Sequence, residues 1–268
     1  MATEQHQALR KRFNPEGSVL RRQQLRMLEI LDAVDACCRK HNIPYWLDSG
    51  TLLGAARHKG FIPWDDDLDI MMLREDYLKL LKVLPAELPR EFILQTIDTD
   101  PYYIAPYAKV RDLKSHIKEN IPYDRLLTYT GIFIDIFPIE KAPLLLEKIG
   151  RHFSNKNYRP LRKTTMDDYV LRRKTIKINR LNYHIVFPFL RFLAKLWTGK
   201  AYRVSFGTSF FSRHYLNEIF PLTEMEFEGK KYPVPANTEK YLQRLYGDWR
   251  KVPDLDKIAT HVAKLEFY

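Results

Sequence analysis

The sequence predicts an α+β fold: a mixed sheet with flanking helices, followed by a basic helical region. Three observations predict it. Strand-like runs, such as residues 131–138, alternate with helical ones, such as residues 16–41, and such runs pack as sheets covered by helices. Hydrophobic residues make up 45% of the 268, enough for a substantial core and too many for wholesale disorder. The charge is unevenly placed: residues 1–140 carry 19 Lys and Arg against 21 Asp and Glu, whereas residues 151–215 carry 15 against 2. That second stretch accounts for the whole excess of +11. The expected division is a core with an N-terminal helix over residues 1–142, a basic helical region over 143–222, and a segment packing back on the core over 223–268.

Residues 16–41 place Leu20, Leu25, Leu28, Leu31, Val34 and Cys38 at helical spacing, with Asn42 and Pro44 as the stop. Residues 45–48 read as a short strand. Residues 49–58 read as a turn into a short helix with Ser49 as its N-cap. A strand is expected over 67–73, and a helix over 74–84 that ends before Pro85. Further strands are expected over 92–97 and 103–111. In residues 131–138, GIFIDIFP, period-two alternation puts Ile132, Ile134 and Ile136 on one face and Phe133, Asp135 and Phe137 on the other. After Pro143 come long basic helical stretches, with apolar clusters at 185–197 and 201–216. Residues 229–235 read as a hairpin or loop, and a last helix is expected over 237–245, stopped by Gly247.

Cys37 and Cys38 are the only cysteines. As helix neighbours they point apart, so they are expected to be buried and free in a reducing compartment. The first residues hold no apolar signal segment, and no run of 18 apolar residues exists. The expected location is cytoplasmic, peripheral on the inner face of the membrane.

Chemistry concentrates at Asp65, Asp66, Asp67 and Asp69. On a strand, Asp67 and Asp69 project together while Leu68 and Ile70 enter a core. Parallel carboxylates repel unless a cation lies between them, and oxygen-only ligands favour Mg²⁺ or Mn²⁺. A solvated turn after Pro63-Trp64 is the competing reading, but it does not explain the Asp-apolar-Asp-apolar ending. A calcium loop fits worse, because its required sixth-position glycine is Ile70. Asp135, in an otherwise apolar strand, is the candidate third carboxylate, since an unpaired charge there is costly. Its alternative is a structural pairing with Arg57, Arg111 or Arg125. Arg57 could neutralise a diphosphate. His58 and Lys59 read better as a surface turn. Lys109 and Arg111 share a strand face and are candidates for phosphate or acceptor contacts, or equally for ion pairs.

A Gly-Thr turn, a short helix, an Asp-x-Asp strand and a later Asp resemble the nucleotidyltransferase superfamily. More closely, LDSGTLLGAARHKGFIPWDDDLDI, AKVRD at 108–112, GIFIDIFP at 131–138 and LYGDW at 245–249 resemble the LicD family, relatives of fukutin and fukutin-related protein. The resemblance implies a phosphotransferase that moves phosphocholine from CDP-choline to a sugar hydroxyl of a teichoic acid or lipooligosaccharide precursor, releasing CMP. It implies metal ligation by Asp67, Asp69 and Asp135, and by Asp65 if the strand starts that early, with Asp66 facing away. It also implies that the amides of Gly50 and Thr51 meet the nucleotide phosphates. A CDP-ribitol-type transferase is the alternative; a metal-dependent glycosyltransferase would leave Gly50-Thr51 without a role.

A trimethylammonium group needs an aromatic surface, for which Trp46, Trp64, Tyr107 and Trp249 are candidates. Asp248 is a weaker substrate contact. Residues 185–197, IVFPFLRFLAKLW, flanked by Arg172, Arg173, Lys174, Lys177 and Arg180, suit an anionic membrane surface that carries a lipid-linked glycan acceptor. A core helix hairpin with a solvated basic face is the competing reading, and no nucleic acid is expected.

Overall fold

The computed structural model describes residues 2–119, 123–162, 167–255 and 262–268. Two helices lead, α1 (Ala2–Phe13) and α2 (Val19–Lys40); Ser18 caps α2 by accepting from the Arg21 amide. Then come β1 (Trp46–Leu47), α3 (Ser49–His58), β2 (Asp69–Leu73), α4 (Arg74–Glu87), β3 (Phe92–Gln95), β4 (Ala108–Asp112), β5 (Ser115–Glu119) and β6 (Phe133–Lys141). The basic stretch folds as α5 (Leu144–Tyr158), α6 (Asp168–Leu181), a π-turn at Asn182–Val186 and α7 (Phe187–Ala194). The chain ends with β7 (Tyr202–Val204), α8 (Leu216–Ile219), β8 (Thr223–Phe227), β9 (Lys230–Val234), α9 (Thr238–Tyr246) and β10 (Val262–Phe267).

The main sheet runs β1-β2-β6-β4-β3, with β7 on the far end of β6. Only the β2–β6 pair is parallel; the others are antiparallel. The fold is therefore α+β with a mixed sheet, as expected. Ile132, Ile134 and Ile136 are fully buried, facing a core shared with Met27, Ile30, Leu31 and Val34 of α2. Cys37 and Cys38 are free and buried in the same core. The helices α5–α7 build two smaller apolar clusters of their own, around Phe187 and Phe206 and around Leu161 and Leu171.

Several expectations shift. The strand after the aspartates begins at Asp69, so Asp67 lies in the preceding loop. The expected N-cap, Ser49, is instead the first residue of α3, and Asp48 holds the cap position. Pro85 sits inside the last turn of α4, where it forfeits one backbone hydrogen bond, to the Leu81 carbonyl. The β8–β9 hairpin is longer than residues 229–235, because Phe227 is buried in the main core and draws the acidic segment into a strand.

Gly131 leads into β6 against the turn after β4. A methyl group there would overlap the Asp112 carbonyl oxygen and lie 3.0 Å from the Ser115 carbonyl. Both obstacles are backbone and cannot rotate away. Gly131→Ala should therefore cost at least about 1–3 kcal/mol, read as a lowered urea midpoint at unchanged slope.

Candidate active site

Three neighbouring strands carry the centre of the site. Asp69 on β2 is the register partner of Asp135 on β6, and Asp135 that of Lys109 on β4. The Lys109 ammonium lies 2.7 Å from Asp135 Oδ1. All three are buried. An ion pair with Lys109 thus engages Asp135. Arg111 is fully buried: its guanidinium lies over the Phe133 ring, as the Lys109 ammonium does, and donates to Gln95 Oε1 at 2.5 Å and to the Gly131 carbonyl at 2.9 Å. Those bonds brace the turn beside β6. Arg57 donates to the carbonyls of Trp249 and Lys251, both at 3.2 Å, and is near enough to Asp65 to feel its charge. Lys59 pairs with Glu226 on the surface, as its assignment to a basic turn requires.

The aspartate loop is held from behind. Gln23 and Gln24, buried on α2, donate to the carbonyls of Asp66 at 2.7 Å and Asp65 at 2.9 Å. Asn14 in turn donates to Gln24 at 2.7 Å. From the front, the Thr51 hydroxyl of α3 accepts the Asp69 amide at 2.8 Å. Gly50 lets the Asp65 carboxylate approach the start of α3: a β-carbon there would lie 2.6 Å from Asp65 Oδ2. In this structure the neighbour of the Gly50 turn is therefore a carboxylate, at the end of a helix suited to anions.

Electrostatically the loop and the strands form one unit. Burial, then Asp67, Asp135, Asp48 and Asp65, push the Asp69 carboxyl well above the usual carboxylate range. Burial and Asp67 do the same to Asp65. Nearby Tyr246 is raised by burial and by Asp48, Asp69, Asp65 and Asp67. This oxygen-only, mutually repelling set suits a hard divalent cation. As the side chains stand, no three His, Cys, Asp or Glu groups among the described residues are gathered as a metal-holding cluster. Asp135 is drawn instead to Lys109.

Sequence reasoning missed Asp48. It is buried, accepts from the Tyr241 hydroxyl at 2.6 Å and from the Ser49 hydroxyl at 2.8 Å, and leaves α3 without a side-chain cap. Ser49 sits at φ 47°, a left-handed conformation costly for a non-glycine residue. An aspartate ahead of Ser-Gly-Thr offered a cap signal; its partner on α9 offered none. Of the expected aromatic contributors, Trp46 is fully buried, Trp64 packs on Phe13 and His58, and Trp249 lies under Arg250. Tyr107 lies beside the site, stacked on Phe137 with ring centres 4.3 Å apart. Asp248 accepts from the Lys251 amide through its carbonyl, as part of a turn.

His214, buried behind Asp48, packs on the Tyr241 ring and shares a 3.0 Å hydrogen bond with Ser212. Burial pulls its pKa down from 6.5 to about 4. Between those values the unfolded chain binds the extra proton, so stability falls as pH drops from 6.5 to 4. Melting temperature should decline across that window, with a shallower slope in His214→Gln.

A mixed sheet, a short helix opening onto an aspartate loop and a third aspartate on the adjoining parallel strand define a nucleotidyltransferase-type domain. Residues 42–165 match the family described as LicD/FKTN/FKRP, nucleotidyltransferase domain, and the chain carries a LicD-family domain. It is 29% identical to the lipopolysaccharide cholinephosphotransferase LicD of Haemophilus influenzae, over 90% of this chain and 95% of that one. A stretch of 34 residues is 56% identical to the human ribitol 5-phosphate transferase FKRP, covering 13% of this chain and 7% of the relative. An uncharacterized Rickettsia prowazekii protein is 48% identical over 61 residues, 23% of each chain.

Proposed function

We propose that this protein transfers phosphocholine from CDP-choline to a sugar hydroxyl of a cell-surface glycopolymer precursor, releasing CMP. The observation that carries the proposal is the alignment of Asp69, Asp135 and Lys109 across three strands, beside the loop of Asp65 and Asp67. Similarity to a lipopolysaccharide cholinephosphotransferase over nine-tenths of the chain supports it. That similarity favours a lipooligosaccharide-type acceptor; the teichoic acid class rests on family resemblance alone.

The reaction breaks one P–O bond and forms another. The acceptor hydroxyl attacks the phosphorus on the choline side, its proton passes to the Asp135 carboxylate, and CMP departs with the bridging oxygen. Asp67, Asp69 and Asp135 would hold the Mg²⁺ or Mn²⁺, with Asp65 beside them. When bound, such an ion would neutralise charge on the transferring phosphoryl group. Lys109 orients Asp135 from 2.7 Å. Thr51 fixes Asp69 through its amide. Gly50 and the start of α3 would face the diphosphate once a cation neutralises Asp65, and Arg57 would add a positive charge nearby.

Beside this site, sharing β7 and α9 with it, lies a second cavity of about 830 Å³ whose walls include Lys141, Lys200, Lys240 and Arg244. Lys240 and Arg244 pair there with Glu218 at 3.1 and 2.6 Å, so Lys141 and Lys200 are the cations it would offer an anionic glycan acceptor. Among the described residues no helix is long and apolar enough to cross a membrane. An exposed apolar stripe on the basic helices suits peripheral attachment.

The test is release of CMP from CDP-choline or CDP-ribitol, or of UDP from UDP-sugars, with a lipooligosaccharide acceptor and Mg²⁺. Release from CDP-choline, with phosphocholine appearing on the glycan, is expected. Preferential use of CDP-ribitol, the reading favoured by the short FKRP match, would refute the choline assignment.

A further inference from the structure

Asp69 has a second side. With Asp48 it forms the floor of a cavity of about 350 Å³ between β2, β6, the segment after β7 and the end of α9. Phe137, Phe210, Met71 and Tyr246 contribute its walls. Among the described residues, no lysine or arginine lines it. The volume is at the low end for small-molecule sites, about 300–1,000 Å³. It suits one end of a CDP-alcohol and not the whole donor.

The chemistry of the lining narrows which end. Away from a metal on Asp69, a diphosphate would face the Asp48 carboxylate with no lysine or arginine in the lining to balance it. A polyol could use the hydroxyls of Ser49, Ser209 and Ser212, but gains nothing from aromatic walls or an acidic floor. A quaternary ammonium gains from both: aromatic faces attract it, and it needs counter-charge without hydrogen bonds. Asp48 is that kind of counter-charge, since Tyr241 and Ser49 already donate to its two oxygens at 2.6 and 2.8 Å. The walls belong to one aromatic row: Phe210 sets its edge on Phe137 at 5.6 Å, and Phe137 stacks on Tyr107. Phe210 is half exposed at the mouth, where an incoming group would cover it.

We infer that this cavity is the onium subsite for the donor's alcohol, with Phe210 and Phe137 as walls and Asp48 as the counter-charge. The inference rests on the transferase reading above and sharpens it, because it makes Phe210 the residue that selects choline over ribitol.

The experiment titrates phosphocholine, phosphoethanolamine, ribitol 5-phosphate and CMP into the purified full-length protein with Mg²⁺. Phosphocholine is expected to bind at least tenfold tighter than ribitol 5-phosphate. Phe210→Ala should weaken phosphocholine roughly tenfold, Phe210→Trp should restore it, and CMP affinity should stay as in the wild type. Thermal melting confirms that both variants fold. If Phe210→Ala weakens CMP and spares phosphocholine, the cavity holds the nucleobase and the inference is overturned. Equal affinity for phosphocholine and ribitol 5-phosphate in the wild type overturns it as well. Binding of phosphocholine through Phe210 without CMP release from CDP-choline would instead sink the transferase reading and leave the subsite standing.

Discussion

Asp69→Asn should lower CMP release from CDP-choline by on the order of 10³-fold, the scale for losing a charge-stabilising contact in a transition state, while the fold survives. Survival follows from the surroundings. Asp69 is buried among Asp67, Asp135, Asp48 and Asp65, and its negative charge is unfavourable there without a cation. An amide of the same shape removes that repulsion, so the variant's melting temperature without divalent ion should match or exceed that of the wild type. Added Mg²⁺ should then stabilise the wild type by mass action and the variant far less. Together the two readouts separate a metal ligand from a merely structural aspartate. Asp135→Asn is a poorer test of the same idea. It leaves the Lys109 ammonium buried 2.7 Å from a neutral partner, and breaking a buried pair costs about 3–5 kcal/mol. Lost activity there could be lost folding. Asp66→Asn is the control, expected to keep most activity. A fully active Asp69→Asn would remove the metal reading altogether.

Much of this arrangement was legible in the sequence where the signal is local. Period-two alternation in IFIDIF placed three isoleucines in the core and Asp135 on the opposite face, and the strand has that form. Helical spacing from Leu20 to Cys38 gave α2 its extent within a few residues. The alternation argument for Asp67 and Asp69 reached only halfway. Thr51 and Asp48 engage the backbone of Asp69 and start the strand there, leaving Asp67 in the loop.

What the sequence hid is long-range. Gln23 and Gln24 read as the polar side of an amphipathic helix, yet both are buried, because each finds a loop carbonyl some forty residues away. Lys109 and Arg111 share a strand face and looked equivalent. Lys109 pairs with Asp135, whereas Arg111 also bonds Gln95 and the Gly131 carbonyl and so braces a turn. Asp48 gained its importance from Tyr241, nearly two hundred residues away. No periodicity carries such pairings.

The double substitution Phe189→Ser, Phe192→Ser should abolish flotation of the protein with anionic vesicles while leaving turnover of a water-soluble acceptor intact. From the end of α6 through the π-turn and α7 to the turn after it, Leu181, Ile185, Phe189, Phe192 and Leu196 are spaced four, four, three and four apart, close to a helical repeat. Ile185, Phe189, Phe192 and Leu196 are 62, 59, 61 and 75% exposed, whereas Phe187, Leu190 and Ala194 face the inner cluster. Large apolar side chains aligned in water on one face are what a membrane-docking surface requires. Arg173, Lys174, Lys177, Arg180 and Lys195 are exposed around it and would add about 1 kcal/mol each near anionic lipid. Two expected cations are spent otherwise: Arg191 forks onto Glu140 at 2.7 and 3.1 Å, and Arg172 lies over the Tyr102 ring. Both phenylalanines are already more than half exposed, so their removal should not destabilise the fold. Losing their insertion at about 1–1.5 kcal/mol each weakens vesicle affinity roughly 30–150-fold. Binding should also fall as salt rises, because the charges act at a screened surface. Unchanged flotation of the double variant, or equal binding to neutral vesicles at all salt concentrations, would exclude this face as the membrane contact and return the basic helices to a solvated role.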